Sequence, residues 1–361
     1  MNNSTDASAS QTTAQTEQIL VNVVYIAVSL PTLLCVAVVV GTVALSQHLR
    51  SRKEMVVVCC QCLADGIYSL GYCLAGCRRL YFTLSGTLQV PVTPWHCMTE
   101  IFTAPILFGP QVGALMNTAV SIDRIIAVTC LQFYTKVGKS YNIALIGLAY
   151  GTAFVSSFVG FVLSYQLPRA KTVTQLCITF WGTPNTYNFY YQTLIAVGEV
   201  VSILLYVLVM ALLKHQQSKL HRSLQTENQK RQAKMTRTMA IVVSFTVVLY
   251  IIPLLVQTAL TRMRVQFWAF GIFKRLIWIS IEFNRFVNVA IYLWRLTDIR
   301  KEFMTKVFGS TSSSDVTIIK NATASTTKHG ITSITTTTRN AFAVAPGPIV
   351  NIGTPHNVYD K

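Results

Sequence analysis

Charge is scarce in this chain. Only 12% of its 361 residues are Asp, Glu, Lys or Arg, about half the share of a soluble domain. That scarcity excludes the two or three solvated domains its length would otherwise imply. Acids are scarcer still, 13 against 30 Lys and Arg. The resulting +17 does not mark a nucleic-acid binder, because the basic residues fall in short strips between apolar runs rather than on one polar face. Nine cysteines are too scattered for a disulfide framework, and no paired CxxC…CxxC spacing offers a zinc site. HExxH, GxSxG and P-loop patterns are missing, which argues against an enzyme. Residues 1–18 lack the basic n-region and cleavage site of a signal peptide, so the first apolar run is expected to serve as its own anchor.

What remains is apolar, 52% of the chain. Seven runs stand out, at 20–46, 55–80, 97–124, 141–166, 188–213, 236–260 and 271–294. Each is near or above the ~20 residues needed to cross a bilayer. The expected fold is therefore all-α, a seven-helix membrane bundle over 20–294 with tails. The second and seventh runs are the least apolar, since they carry Asp65, Arg78 and Arg79, and Glu282 with Arg285. Pro31, Pro105, Pro110 and Pro253 lie inside runs, which a bundle tolerates when neighbours satisfy the freed backbone. Cys35, Cys59, Cys60, Cys62, Cys73 and Cys130 lie in or near these runs and read as small buried hydrophobes.

With the N-terminus outside, the inner segments hold seventeen Lys and Arg and the outer ones eight. The bias predicts that orientation, with the C-terminus in the cytoplasm. Residues 1–19 then form an outer tail with sequons at Asn2 and Asn3, expected to be glycosylated. After the last span, Ile299, Phe303, Val307 and Phe308 recur at helical spacing among Arg300, Lys301 and Lys306. This predicts an amphipathic helix over 295–308 on the inner leaflet. Residues 309–361 are rich in Ser and Thr and predict disorder. The two halves show no internal repeat, which argues against a transporter.

Ile122-Asp123-Arg124-Ile125 closes the third span, Leu63-Ala64-Asp65 lies in the second and Asn288-Val289-Ala290-Ile291-Tyr292 in the seventh. Cys97 and Cys177 fall at the outer end of a span and in an outer loop. Together, in this order, these residues resemble the rhodopsin-like G-protein-coupled receptors over about 20–308. They match the family's Asp-Arg-Tyr, Leu-Ala-Asp and Asn-Pro-x-x-Tyr motifs, with Tyr and Pro replaced here by Ile125 and Val289. Thr42 replaces the first-helix Asn, the fourth span has no Trp, and Tyr250-Ile251-Ile252-Pro253 lacks the sixth-helix Cys-Trp. Eroded motifs around a kept Ile-Asp-Arg-x-x-Ala-Val are most similar to nematode serpentine chemoreceptors of the Srsx-like class. A neuropeptide receptor of the same fold is the neighbouring reading.

The resemblance implies a plasma-membrane receptor, in sensory neurons at the ciliary membrane, that turns binding of an extracellular small molecule or peptide into activation of a heterotrimeric G protein. Asp123, Arg124, Tyr206, Asn288 and Tyr292 would form its switch, and Cys97 and Cys177 its disulfide. Asp65, Asn284 and Asn288 would form a buried polar network, the two amides sharing one helix face. The family holds sodium there, but the completing third-span positions read Gly109 and Gly113, so no cofactor or metal is assigned. No acid stands at the base of the sixth span, where Ala233, Lys234 and Arg237 lie, so a loosely latched resting state is expected.

Ligand contacts are less determined by the residues. Ile106 on the third span replaces the Asp that an amine would want, and the basic outer segments predict an electropositive mouth that steers an acidic ligand. Glu199, an acid with no evident partner, and Glu282 are the pocket candidates; Glu282 could equally pair with Arg285 at i, i+3. The basic stretch from Lys214 to Arg237 is partly helical in pattern, extends the fifth and sixth spans and suits G-protein docking. Thr335-Thr336-Thr337-Thr338 offers sites for a receptor kinase and arrestin. A channel or transporter, and a receptor of this fold uncoupled from any G protein, are the competing readings.

Overall fold

In lipid every backbone N–H and C=O must be satisfied within the protein, so long apolar runs become helices. The computed structural model describes residues 3–130, 134, 136, 138–167, 172–178, 182–219, 227–263 and 270–308. Seven of its helices are long and apolar enough to cross a membrane. They are α1 (Asn3–Leu45), α2 (Lys53–Leu84), α3 (Thr103–Thr129), α4 (Lys139–Tyr165), α5 (Asn185–Lys219), α6 and α7 (Phe270–Arg295). α6 is composite, with Glu227–Thr246 followed by a π-helical turn, Val247–Ile251, and then Ile252–Arg262. A separate helix, α8 (Thr297–Phe308), follows the break at Leu296. Asn2 and the Ser/Thr-rich segment 309–361 lie outside the described residues.

α3 runs through the middle, packed against α2, α4 and α5, while α1 packs against α2 and α7. α6 packs on α5 and α7 and completes the ring. Burial separates the helices by role. Two thirds of the most apolar window of α2 is buried (67%), against 28% for α1, α4, α5 and α6. The spans that look least apolar in sequence do so because they face the bundle interior. The outward face of α4 shows the converse, with Ile143, Leu148, Phe154, Phe158 and Val162 all exposed. In water that apolar strip would be an aggregation site; here it faces lipid.

Two boundaries differ from the sequence reading. α1 starts at Asn3, well inside the segment expected as a tail. The third span was expected over 97–124 but occupies Thr103–Thr129. Cys97 instead lies in a separate helical turn, Pro94–Met98, capped by Thr93 accepting from the His96 amide. The chain then turns, and the Thr103 hydroxyl donates back to the Cys97 carbonyl at 2.7 Å. At its other end α3 runs on to Thr129, so Asp123 and Arg124 lie about a turn and a half before the helix ends. As the pattern of Lys214–Arg237 predicts, α5 and α6 continue as helices to Lys219 and from Glu227, beyond their apolar windows.

Candidate functional site

At the Arg124 end of the bundle an acid and a base occur consecutively in sequence. Arg124 is 1% exposed and Asp123 not at all. Charges so placed are costly unless paired. The guanidinium donates through Nε to Asp123 Oδ2 at 3.1 Å and through Nη2 to the same oxygen. Nη2 also donates to the Tyr134 hydroxyl at 3.3 Å, which lies 3.5 Å from Asp123 Oδ2. Burial pushes the Tyr134 phenol well above its usual range, so it stays protonated and can do both. Lys53 Nζ, at the start of α2, donates to the Tyr134 carbonyl at 2.9 Å. Tyr134 carried no motif in the sequence; its role depends on a chain path that no spacing revealed.

Tyr206 on α5 and Tyr292 on α7 are both buried in the same apolar cluster. The Tyr206 hydroxyl has no hydrogen-bond partner among the described residues, though it lies within electrostatic range of Arg124. The sequence reading places both near Arg124; among the described residues the Tyr206 hydroxyl makes no hydrogen bond to it.

Half-way along the bundle the expected trio rearranges. Asp65 Oδ1 accepts from Arg285 Nη1 at 2.8 Å. The sequence leaves open whether Arg285 pairs with Glu282 on its own helix; it reaches α2 instead. Glu282 accepts from Ser29 of α1 at 3.0 Å. Asp65 Oδ2 and Asn288 Oδ1 have no hydrogen-bond partner among the described residues, whereas Asn284 donates to Thr246 of α6 at 3.5 Å. Glu199, read as an acid without a partner, is bound through both oxygens by the Asn117 amide, at 3.2 and 3.1 Å. That contact belongs to a polar seam between α3 and α5, with Thr118 donating to the Gly198 carbonyl and Ser121 facing Ser202.

The two third-helix glycines have steric reasons. A Cβ on Gly109 would meet Tyr68 Cα at 2.8 Å, so α2 and α3 touch there backbone to backbone. A Cβ on Gly113 would sit 3.1 Å from Arg285 Nη1. Gly113 opposite a charged seventh helix was the signal available in sequence for the Arg285 contact.

At the opposite end, Cys97 and Cys177 form a disulfide with Cα atoms 5.0 Å apart. Cys177 has φ of +44°, a left-handed conformation that non-glycine residues seldom adopt. Two consecutive arginines of α2 hold the strand leading to it. Arg78 Nη1 donates to the Gln175 carbonyl at 2.7 Å. Arg79 donates to the carbonyls of Leu176 and Cys177 at 2.9 and 3.2 Å. β1 (Pro91–Val92) pairs antiparallel with β2 (Val173–Thr174) alongside. Arg78 further pairs with Glu100, and Arg275 with Glu17 at 2.7 Å. Arg78 and Arg275 are thus charge-paired with the two outer glutamates, whereas Arg79 bonds only neutral carbonyls and keeps its positive charge at this end.

Ile106 packs against α2, where a Cβ on Gly71 would lie 2.7 Å from its Cγ1. Its carbonyl is more informative. Pro110 has no N–H to bond it, and the Tyr191 hydroxyl of α5 donates to it at 3.2 Å. In α6, Pro253 leaves the Leu249 carbonyl in the same position, beside the π-helical turn. The Ser280 hydroxyl of α7 donates to that oxygen at 2.7 Å. Tyr191 and Ser280 were missed in sequence, although each proline marked the carbonyl that would need a donor.

No individual curated protein matches the chain. Residues 80–288 match the profile of the 7 transmembrane receptor (rhodopsin family). That stretch runs from the end of α2 to Asn288 and contains the Asp123–Arg124 pair, both disulfide cysteines and the two proline-freed carbonyls. The chain belongs to the rhodopsin family of seven-transmembrane receptors.

Proposed function

We propose that this receptor binds an extracellular small molecule or peptide and activates a heterotrimeric G protein from the plasma membrane. The observation that carries the reading is the buried Asp123–Arg124–Tyr134 cluster, a cation kept out of water and joined to α2 through Lys53. A family receptor needs such a group held in one state and released in another. The Lys/Arg bias supports an outer N-terminus, which makes the disulfide end the ligand end and the Arg124 end the G-protein end. α6 supplies the movable part: a π-helical turn and Pro253 weaken its ladder midway. Its outward swing would open space for Arg124 to meet the G protein, with Tyr206 and Tyr292 as new partners.

The same orientation makes Asn2 and Asn3 glycosylation sites, lays α8 on the inner leaflet, and offers the 309–361 tail to a receptor kinase and arrestin. A chemosensory role, with a ciliary address, follows from the resemblance of the eroded motifs. On the ligand side, Glu282 supports a partner with a cationic or hydrogen-bond-donating group. Its Oε2 has no partner among the described residues, and Tyr25, Tyr72 and Tyr68 stack edge-on beside it, with centroids 5.2 and 4.8 Å apart. Such rings favour a cation. An acidic ligand steered by the basic outer segments is the alternative reading.

The test is nucleotide exchange on purified heterotrimers by vesicle-embedded receptor, wild type beside Arg124→Ala at equal receptor density. Exchange above the receptor-free rate that disappears in the variant supports coupling; equal rates in both refute it.

A further inference from the structure

Asp65 is fully buried, and an ionised carboxylate at mid-membrane depth needs a cation. This chain places one there itself. Arg285, 2% exposed, enters from α7 and bonds Asp65 of α2 at 2.8 Å. Its guanidinium rests on the bare Cα of Gly113 in α3, where any Cβ would crowd Nη1 at 3.1 Å and Cζ at 3.6 Å. The rings of Tyr68 and Tyr250 lie 5.3 and 5.8 Å from it, on α2 and α6. Glu199 of α5 lies within electrostatic range. The other nearby acid, Glu282, bonds Ser29 through Oε1. One side chain thus meets α2, α3 and α6 from α7, in a space that the glycine leaves open.

We propose that Arg285 is the built-in counter-cation of the bundle. It fills the seat that a free monovalent ion would otherwise take beside Asp65, making the resting state indifferent to sodium. It is a positioning residue: its charge fixes Asp65, and its shape fixes how closely α3 and α7 approach. The inference does not depend on G-protein coupling, since its readout is the stability of the bundle alone.

The experiment measures the thermal midpoint of the full-length receptor in nanodiscs, in sodium chloride and in choline chloride at equal ionic strength. Wild type is expected to melt at the same temperature in both. Arg285→Gln strips Asp65 of its cation and opens the seat, so the midpoint should fall by several degrees in choline and recover partly in sodium. Arg285→Lys keeps the charge and should keep the indifference. Asp65→Asn/Arg285→Gln removes both charges, and should lose less than the two single changes together while showing no sodium response. Should Arg285→Gln not assemble, Gly113→Ser tests the seat from the other side, by pushing its side chain into the guanidinium and lowering the midpoint. A wild-type midpoint that rises with sodium overturns the proposal. So does a double variant whose loss equals the sum of the singles.

Discussion

The hydroxyl of Ser280 on α7 donates to the carbonyl oxygen of Leu249 on α6 at 2.7 Å. Leu249 is the residue whose helical hydrogen bond Pro253 cannot make. The hinge of α6 is thus closed by a neighbouring helix rather than by its own ladder.

Ser280→Ala leaves that carbonyl without a donor away from water. A hydrogen bond of this kind contributes about 0.6–1.7 kcal/mol within a membrane bundle, and ~1 kcal/mol moves a midpoint by roughly 2–4 °C in a domain of 150–250 residues. The expected result is a midpoint lower by a few degrees, with higher ligand-free nucleotide exchange because α6 is freed. Ser280→Thr, which keeps the hydroxyl, should match wild type. A thermal melt and a basal exchange assay on the same preparations check both.

Tyr134→Phe removes the phenol that bonds Arg124 and Asp123 while keeping the ring under Lys53. Losing ~1 kcal/mol from the resting state shifts a two-state equilibrium about fivefold. Basal exchange should rise by about that factor, with surface expression unchanged. An unaltered basal rate would show that Tyr134 packs beside the pair without holding it.

Cys97→Ser should cost about 2–5 kcal/mol, the range for losing a native disulfide, and reduce surface display severely. Arg79→Met is the subtler change. It keeps the apolar length but drops the two bonds to the Leu176 and Cys177 carbonyls. The disulfide should still form, seen as a mobility difference between reduced and unreduced protein, while the midpoint falls. Loss of the disulfide itself in Arg79→Met would mean that the arginine guides its formation.

Much of the architecture was legible because lipid imposes a simple code: seven apolar runs, broken by short basic strips, give seven helices. The site was legible residue by residue but not pair by pair. Asp65, Arg124 and Glu282 stand out as charges inside apolar helices, yet periodicity cannot say whether Arg285 turns to Glu282 on its own helix or across to Asp65. The glycine at 113 decides it, by leaving room on the facing helix, and that is a property of two helices at once. Glu199 was misjudged for the same reason, since its partner Asn117 lies on α3. Tyr134 lies in a segment with no periodic pattern. The span boundary at Thr103 was missed because the apolar content of 97–102 continues across a turn that only the Cys97 carbonyl contact reveals.

The most direct test of the account is nucleotide exchange on heterotrimeric G protein by the receptor in vesicles, with wild type, Tyr134→Phe and Arg124→Ala compared at equal density. Wild type should give measurable exchange, Tyr134→Phe more, and Arg124→Ala none above background. Exchange by Arg124→Ala equal to wild type, or no change between wild type and Tyr134→Phe, would contradict it.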